Sequence, residues 1–135
     1  MRAFLEDGDL VIELDEPVVS WNTLYSSKHW AVRKKLAQRV HDTIALALRA
    51  SFGDEYPQFE YPVEVLVESY SKRPIDSDNV CAKLYIDGLV GTVIQDDSPP
   101  YVQRVVLTSR KAGENKLIIR VHFLGEGGTN VRQDV

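Results

Sequence analysis

The sequence predicts a single α+β domain in which a small mixed β-sheet carries two main helices. Three observations support this prediction. Apolar residues recur at helical spacing in one long central segment, apolar and polar residues alternate in several short segments, and glycine, proline or acidic turn residues separate them. The 135 residues contain neither an internal repeat nor a break in composition, so we expect one domain over residues 1–135.

The expected order of elements is β-α-β-α-β-β. Four short segments rich in β-branched residues predict the strands, namely Leu10–Leu14, Val63–Tyr70, Tyr101–Ser109 and Lys116–Phe123. The alternation in the second of these places its valines on one face and its glutamates on the other. The glycine-containing connection 110–115 predicts that the last two strands form a hairpin-like pair.

Two segments predict helices. Residues 26–50, from Ser26 to Ala50, carry one apolar stripe, formed by Val32, Leu36, Val40, Ile44 and Leu48. Gly53 is expected to stop this helix. A second helix is expected from Asp78, capped by Asp78 or Asn79, until Gly88 and Gly91 end it. The polar, glycine-rich segment 125–135 is expected to be a flexible tail.

Composition limits the class of protein. The single cysteine, Cys81, excludes a disulfide framework and is expected to be a small packed thiol, as suits a reducing cytoplasm. The N-terminus lacks the pattern of a signal peptide, and no stretch approaches 18 uninterrupted apolar residues, so we expect no membrane span. The net charge of −4 argues against a general nucleic-acid binder unless the charges are segregated.

The chemically unusual feature is a cluster of five aspartates, Asp76, Asp78, Asp87, Asp96 and Asp97. Carboxylates brought close together repel one another unless a cation compensates them. Hard divalent cations prefer such oxygen ligands and leave room for a phosphate substrate, so convergence of these residues would form a magnesium or manganese site. Each residue also has a structural alternative, because aspartate is favoured at helix caps and in turns.

One cation stands among these acids. In the predicted helix Asn79, Lys83 and Asp87 are spaced four apart and would share one face. Lys83 and Asp87 could form an ordinary surface ion pair. A lysine beside a metal-bound phosphate can instead stabilise the negative charge of a transition state.

Several runs together resemble a known family. Arg73–Asn79 (RPIDSDN) is followed by Lys83, by Asp87-Gly88-Leu89 and by Gln95–Ser98 (QDDS), and Ser20–Tyr25 (SWNTLY) precedes the long helix. This combination is similar to the RusA-like Holliday-junction resolvases of bacteria and phages. The resemblance extends over roughly Val11 to Phe123, in matching order of elements, and it implies a RusA-like fold.

The resemblance implies a metal-dependent endonuclease of DNA recombination and repair. Asp76, Asp78 and Asp97 would be catalytic ligands of Mg²⁺ or Mn²⁺, with Asp96 also at the metal, and Lys83 would be the catalytic lysine. Supporting roles would fall to Asn79, Asp87 and Asn22. Members of the family are homodimers that nick symmetric strands of a four-way DNA junction. The chain departs from the pattern in one spacing, because Lys83 follows Asp78 by five residues rather than four.

Local basic segments offer a way for an acidic chain to hold DNA. Residues 26–50 contain six basic residues and one acidic residue, and residues 101–120 contain five and one. The expected DNA-binding residues are Lys28, Arg33, Lys34, Lys35 and Arg73. Trp21 and Tyr25 could stack on exposed bases, whereas Trp30 is expected in the core.

Two alternatives to a junction resolvase remain open. The acidic composition and the shifted lysine would suit a non-catalytic nucleic-acid or protein interaction module that retains the fold. A nuclease for other branched or single-stranded DNA would share the same site and differ in its surfaces.

Overall fold

The computed structural model of the protein describes residues 1–26, 29–125 and 131–132. The strands are β1 (Arg2–Glu6), β2 (Asp9–Leu14), β3 (Gln58–Phe59), β4 (Val63–Ser71), β5 (Val102–Lys111), β6 (Lys116–Phe123) and β7 (Val131–Arg132). The helices are α1 (Trp21–Ser26), α2 (Trp30–Phe52) and α3 (Ala82–Leu89), and a 3₁₀ turn spans Ser77–Asn79.

Five strands form one mixed sheet in the order β1-β2-β6-β4-β5. β4 pairs with β6 antiparallel and with β5 parallel, whereas β1, β2 and β6 are joined antiparallel. The two short strands β3 and β7 form a separate antiparallel pair. The predicted α+β class, with a mixed sheet and two main helices, is confirmed.

The predicted hairpin of the last two strands is wrong. β4 lies between β5 and β6, so the connection 112–115 passes over the end of β4. The amide of Ala112 donates a hydrogen bond to the carbonyl of Ser71 at 2.9 Å, which fixes this crossing. A glycine-containing connection of this length is compatible with either arrangement. Hydrophobic alternation shows which face of a strand is buried, but it does not show which strands are adjacent in the sheet.

β1 forms a hairpin with β2 and was not predicted from the sequence. Its turn is Asp7-Gly8, with positive φ values of 52° and 83°. Asp-Gly is a favoured pair for such turns, so the signal was present in the sequence. The short helix α1 was likewise missed, and the long helix begins at Trp30 and not at Ser26.

The helices cover one face of the sheet. Leu10, Ile12 and Leu14 of β2 point into this core, together with Val65 of β4 and Ile119 of β6, and all five are fully buried. Helix α2 packs on β1 and β2, and α3 packs on α2. Burial of this face supplies the main hydrophobic stabilisation, at about 25 cal/mol per Å² of apolar surface.

The apolar stripe of α2 is buried over only part of its length. Val40, Ile44 and Leu48 are buried, but Val32 is 53% exposed. Trp30 is 66% exposed, so its expected place in the core is wrong. The sheet supports the later turns of α2 and leaves the first turn uncovered. Gly53, with φ of 67°, ends the helix as predicted.

The other face of the sheet carries cross-strand ion pairs. Arg2 Nε lies 2.8 Å from Glu13 Oε2, and Arg104 pairs with Glu64. Both pairs join residues in direct register, where opposite charges stabilise a sheet. Arg120 of the same face contacts Asp9, so the charges of these three arginines are already paired.

Little of the predicted tail is described. Val131–Arg132 form β7, while residues 126–130 and 133–135 of that segment lie outside the described residues. No helix in the described ranges combines the length and apolar character needed to cross a bilayer.

Candidate active site

The first acidic run forms a tight turn at the surface. The amide of Asn79 donates to the carbonyl of Asp76 at 2.9 Å, and Asp76 itself is extended, with φ of −62° and ψ of 141°. Asp76 and Asp78 are both exposed. Asp78 therefore neither begins nor caps the following helix, because it lies within the 3₁₀ turn.

Two non-helical residues, Val80 and Cys81, separate this turn from α3. Val80 forms an isolated bridge with Ser20, and the amide of Cys81 donates to the carbonyl of Val19 at 3.0 Å. These contacts hold the backbone out of helical geometry, so α3 begins only at Ala82. Because Asn79 precedes the helix, its predicted place on one helical face with Lys83 is wrong.

The segment of residues 19–22, which leads into and begins α1, is attached to the acidic turn. The backbone amide of Asn22 donates to Asn79 Oδ1 at 3.2 Å. The two runs that carry the family resemblance, 57 residues apart in sequence, therefore meet in space. The contact uses the main chain of Asn22, so its amide side chain keeps its own hydrogen-bonding groups.

A tyrosine that the sequence analysis did not select anchors this segment. The amide of Val19 donates to the hydroxyl oxygen of Tyr85 at 2.8 Å, across 66 residues. Tyr85 is fully buried, and burial raises the pKa of its hydroxyl well above the usual range. No local pattern marks a tyrosine for this role, because the contact exists only after α3 packs against the N-terminal segment.

Lys83 and Asp87 form the ion pair that their spacing predicted. Lys83 Nζ lies 3.5 Å from Asp87 Oδ2 within α3, and their side chains are 63% and 35% exposed. An exposed pair of this kind contributes little to stability, about 0.3–0.5 kcal/mol. The charge of the lysine is thus held near the N-terminal half of α3 without being buried.

The second acidic run forms hydrogen bonds within its own turn. Asp96 Oδ1 accepts a hydrogen bond from the amide of Asp97 at 2.8 Å, and Asp96 Oδ2 accepts one from the hydroxyl of Ser98 at 2.8 Å. These bonds, that of Ser98 first, lower the pKa of Asp96. Asp96 therefore shapes the turn, the structural alternative of the sequence analysis, and the exposed Asp97 follows it.

One open cleft collects three of the selected residues. Lys83 and Asp87 of α3 line it with Asp97, and its volume is about 260 Å³. Its apolar floor comes from Ala82, Ile86, Val102 and Val105. The 3₁₀ turn packs against β5, the strand that supplies two of these floor residues. Asp76 and Asp78 are not among the described residues that line the cleft.

The carboxylates do not form a closed cage. Among the described residues, no three His, Cys, Asp or Glu side chains lie close enough together to hold a metal ion. Mg²⁺ usually takes one or two protein carboxylates, keeps several waters and binds substrate phosphates. The exposed Asp97 in an open cleft fits this incomplete coordination and does not fit a closed structural metal site.

The described residues that were predicted to bind DNA lie on α2 and directly after β4. Arg33, Lys34 and Lys35 are on α2, Lys34 lying 5.8 Å from the ring of Trp30, and Arg73 is exposed after β4. Lys28 lies outside the described residues. Trp21 and Tyr25 of α1 stack with centroids 5.6 Å apart, and Tyr25 is 66% exposed.

Cys81 is fully buried, as expected of a packed thiol, and burial raises its pKa. Three hydroxyls that the sequence did not single out, those of Ser69, Thr108 and Ser109, are buried without a hydrogen-bond partner within the described chain. Ser69 and Ser109 are register partners on β4 and β5.

A scan of the chain against models of protein families gives no match, and comparison with curated protein sequences finds no significant relative.

Proposed function

We propose that the protein is a divalent-metal-dependent, structure-specific DNA endonuclease that cuts four-way junctions or other branched DNA by hydrolysis of a phosphodiester. The observation that carries this proposal is the open cleft in which Lys83, Asp87 and Asp97 come together from separate parts of the chain. A cation and exposed carboxylates on an open surface suit a phosphate ester that remains attached to a long polymer.

Asp97 would hold Mg²⁺ or Mn²⁺, and we assign Asp76 and Asp78 of the 3₁₀ turn, which do not line the cleft, to the same hydrated ion. The bound ion supplies Lewis-acid stabilisation of the phosphate and a water of lowered pKa. Exposure of all three aspartates leaves their oxygens accessible to a hydrated cation. Asp96 takes a supporting part, because both of its oxygens already accept hydrogen bonds within the turn.

Lys83 would stabilise the charge that develops on the phosphoryl oxygens. Asp87 acts as a positioning residue, because its carboxylate keeps the flexible lysine side chain at the wall of the cleft. Asn79 positions the acidic turn through the amide of Asn22.

Exposed groups near α1 and α2 support DNA as the partner. Tyr25 and Trp30 are each 66% exposed, and aromatic rings stack on unpaired bases. Lys34 and Lys35 add positive charge on the same helix as Trp30. Two symmetric nicks require two sites, so we propose a homodimer acting in the cytoplasm.

Cleavage assays test this proposal. Purified protein with Mg²⁺ or Mn²⁺ should cut a labelled four-way junction, and flaps, forks and linear duplex define its preference. Asp97→Asn and Asp76→Asn should abolish cleavage and leave junction binding largely intact. Asp54→Asn, an exposed aspartate just beyond α2, is the matched control and should cut normally. Uncut substrates of every shape, or full activity of Asp97→Asn, would refute the proposal.

The second candidate is a non-catalytic nucleic-acid or protein interaction module. It is favoured by the lack of a three-carboxylate group within the described residues and by the engagement of Asp96 in its turn. Calorimetry with Mn²⁺ separates the two functions, because an interaction module should bind no metal in the micromolar to millimolar range.

A further inference from the structure

Four basic residues collect at one end of the sheet. Lys72 and Arg73 directly follow β4, and Arg110 and Lys111 end β5. β4 and β5 are parallel, with Tyr70 opposite Arg110 and Ser71 opposite Lys111, so their carboxyl ends lie side by side. We call Lys72, Arg73, Arg110 and Lys111 the basic rim. Adjacent strands are about 4.8 Å apart, so these charges are concentrated.

The charges of the basic rim are not neutralised. All four residues are exposed, and none lies within ion-pair distance of an acidic side chain in the described ranges. The basic residues on the neighbouring sheet face differ, because Arg2 pairs with Glu13 and Arg104 pairs with Glu64. Basic residues that the sequence does not distinguish therefore fall into two groups in the fold, those that are ion-paired on the sheet face and those that are unpaired in the basic rim.

A groove runs beside the basic rim. Lys72, Arg73 and Asn115 line it over an apolar floor that includes Val18 and Ile75, and its volume is about 330 Å³. No acidic residue is among the described residues that line it. Lysine, arginine and asparagine all provide hydrogen-bond donors, which are what phosphate oxygens accept.

Lys72 and Arg73 of the basic rim are close to the acidic turn in the sequence. Arg73 and Asp76 lie on the same short segment, so the rim leads directly to the proposed metal ligands. A chain with net charge −4 that presents exposed aspartates repels DNA as a whole, and attraction must act within the screening distance of about 8–10 Å. Unpaired cations next to the acids satisfy this requirement.

We propose that the basic rim binds the phosphate backbone of a duplex arm of the DNA that is cut at the candidate active site. This inference rests on the proposed function and adds the surface that holds the substrate. Contacts to phosphates carry no sequence information, but they fix the position and orientation of the duplex. The rim would thus set where the scissile phosphate lies relative to Asp76 and Asp97.

Binding measurements without divalent metal test the rim separately from catalysis. Fluorescence anisotropy with a four-way junction in EDTA compares Arg110→Gln/Lys111→Gln and Lys72→Gln/Arg73→Gln with the wild type. Each double variant should weaken binding at least tenfold near 100 mM salt and lower the slope of log K against log salt by about two.

Arg2→Gln/Arg104→Gln is the control, because it removes two charges that are already paired. It should leave affinity and salt slope close to wild type. Equal effects of control and rim variants would show that only net charge matters and would overturn the inference. Wild-type binding by both rim variants, or no binding of DNA by the wild type, would also overturn it.

The outcomes separate this inference from the proposed function. Rim-dependent binding without cleavage in Mg²⁺ or Mn²⁺ would support the rim and refute the endonuclease. Cleavage by the wild type, together with unimpaired DNA binding by the rim variants, would support the endonuclease and overturn the inference about the rim. Competition by polyglutamate as strong as that of duplex DNA at equal charge would indicate an acidic protein partner and overturn the rim's assignment.

Discussion

The backbone amide of Asn22 donates a hydrogen bond to the side-chain oxygen of Asn79 at 3.2 Å. This contact joins the segment before the long helix to the acidic turn that carries Asp76 and Asp78. Together with the bridge between Ser20 and Val80, it makes the N-terminal segment a support for the candidate active site.

Removal of this acceptor should loosen the acidic turn. Asn79→Ala is expected to lower the free energy of unfolding by about 0.5–1.5 kcal/mol, the usual net value of one hydrogen bond. It should also accelerate amide exchange of Asn22. Asn79→Asp retains an oxygen in the same place and should show neither change. Equal behaviour of both variants in urea unfolding and amide exchange would contradict this role of the contact.

Loss of the Tyr85 hydroxyl should destabilise the support beneath the turn. Tyr85→Phe leaves the buried amide of Val19 without its partner, which costs about 1–3 kcal/mol. Urea unfolding measures this loss. Tyr56→Phe removes the hydroxyl of a half-buried tyrosine and should change stability by less than about 0.5 kcal/mol. Comparable losses in both variants would show that the Val19 contact is not the cause.

Lys83 should affect cleavage far more than stability. Lys83→Met breaks an exposed ion pair with Asp87, so the free energy of unfolding should fall by at most about 1 kcal/mol. Loss of a charge that stabilises the transition state should lower kcat by about 10²–10³-fold. Lys83→Arg keeps the charge and should retain part of the activity. Unchanged junction cleavage by Lys83→Met would exclude a catalytic role for this residue.

The turn at Asp96 should make stability depend on acid pH. The hydrogen bond from Ser98 lowers the pKa of Asp96 in the folded protein, so this stabilisation is full above the unfolded pKa, about 3.9, and is lost as pH falls through the folded pKa. Ser98→Ala should therefore destabilise the protein at neutral pH and progressively less as acid pH protonates Asp96. Unfolding curves at several pH values measure the difference.

Ser77→Ala is the control for this pH dependence, since Ser77 is exposed in the other acidic turn. Its difference from wild type should be nearly constant across the same range. A constant difference for Ser98→Ala as well would mean that the hydroxyl does not act through the ionisation of Asp96.

Much of the local structure could be predicted from the sequence. The alternation in β4, the long helix ended by Gly53 and the burial of Cys81 follow from patterns within one segment. Such patterns specify which face of an element is apolar, because side chains repeat with the period of the backbone. The same kind of pattern wrongly placed Trp30 in the core, because periodicity does not show whether anything covers the first turn of a helix.

The amino-acid sequence alone determined the fold class, the order of the central elements and the residues worth testing. Only the tertiary structure decided that β4 lies between β5 and β6, that Asp97 shares a cleft with Lys83, and that Arg104 is paired while Arg110 is not. Periodicity is a property of neighbours along the chain, whereas pairing, register and charge neutralisation depend on contacts between distant segments that form only when the core is packed.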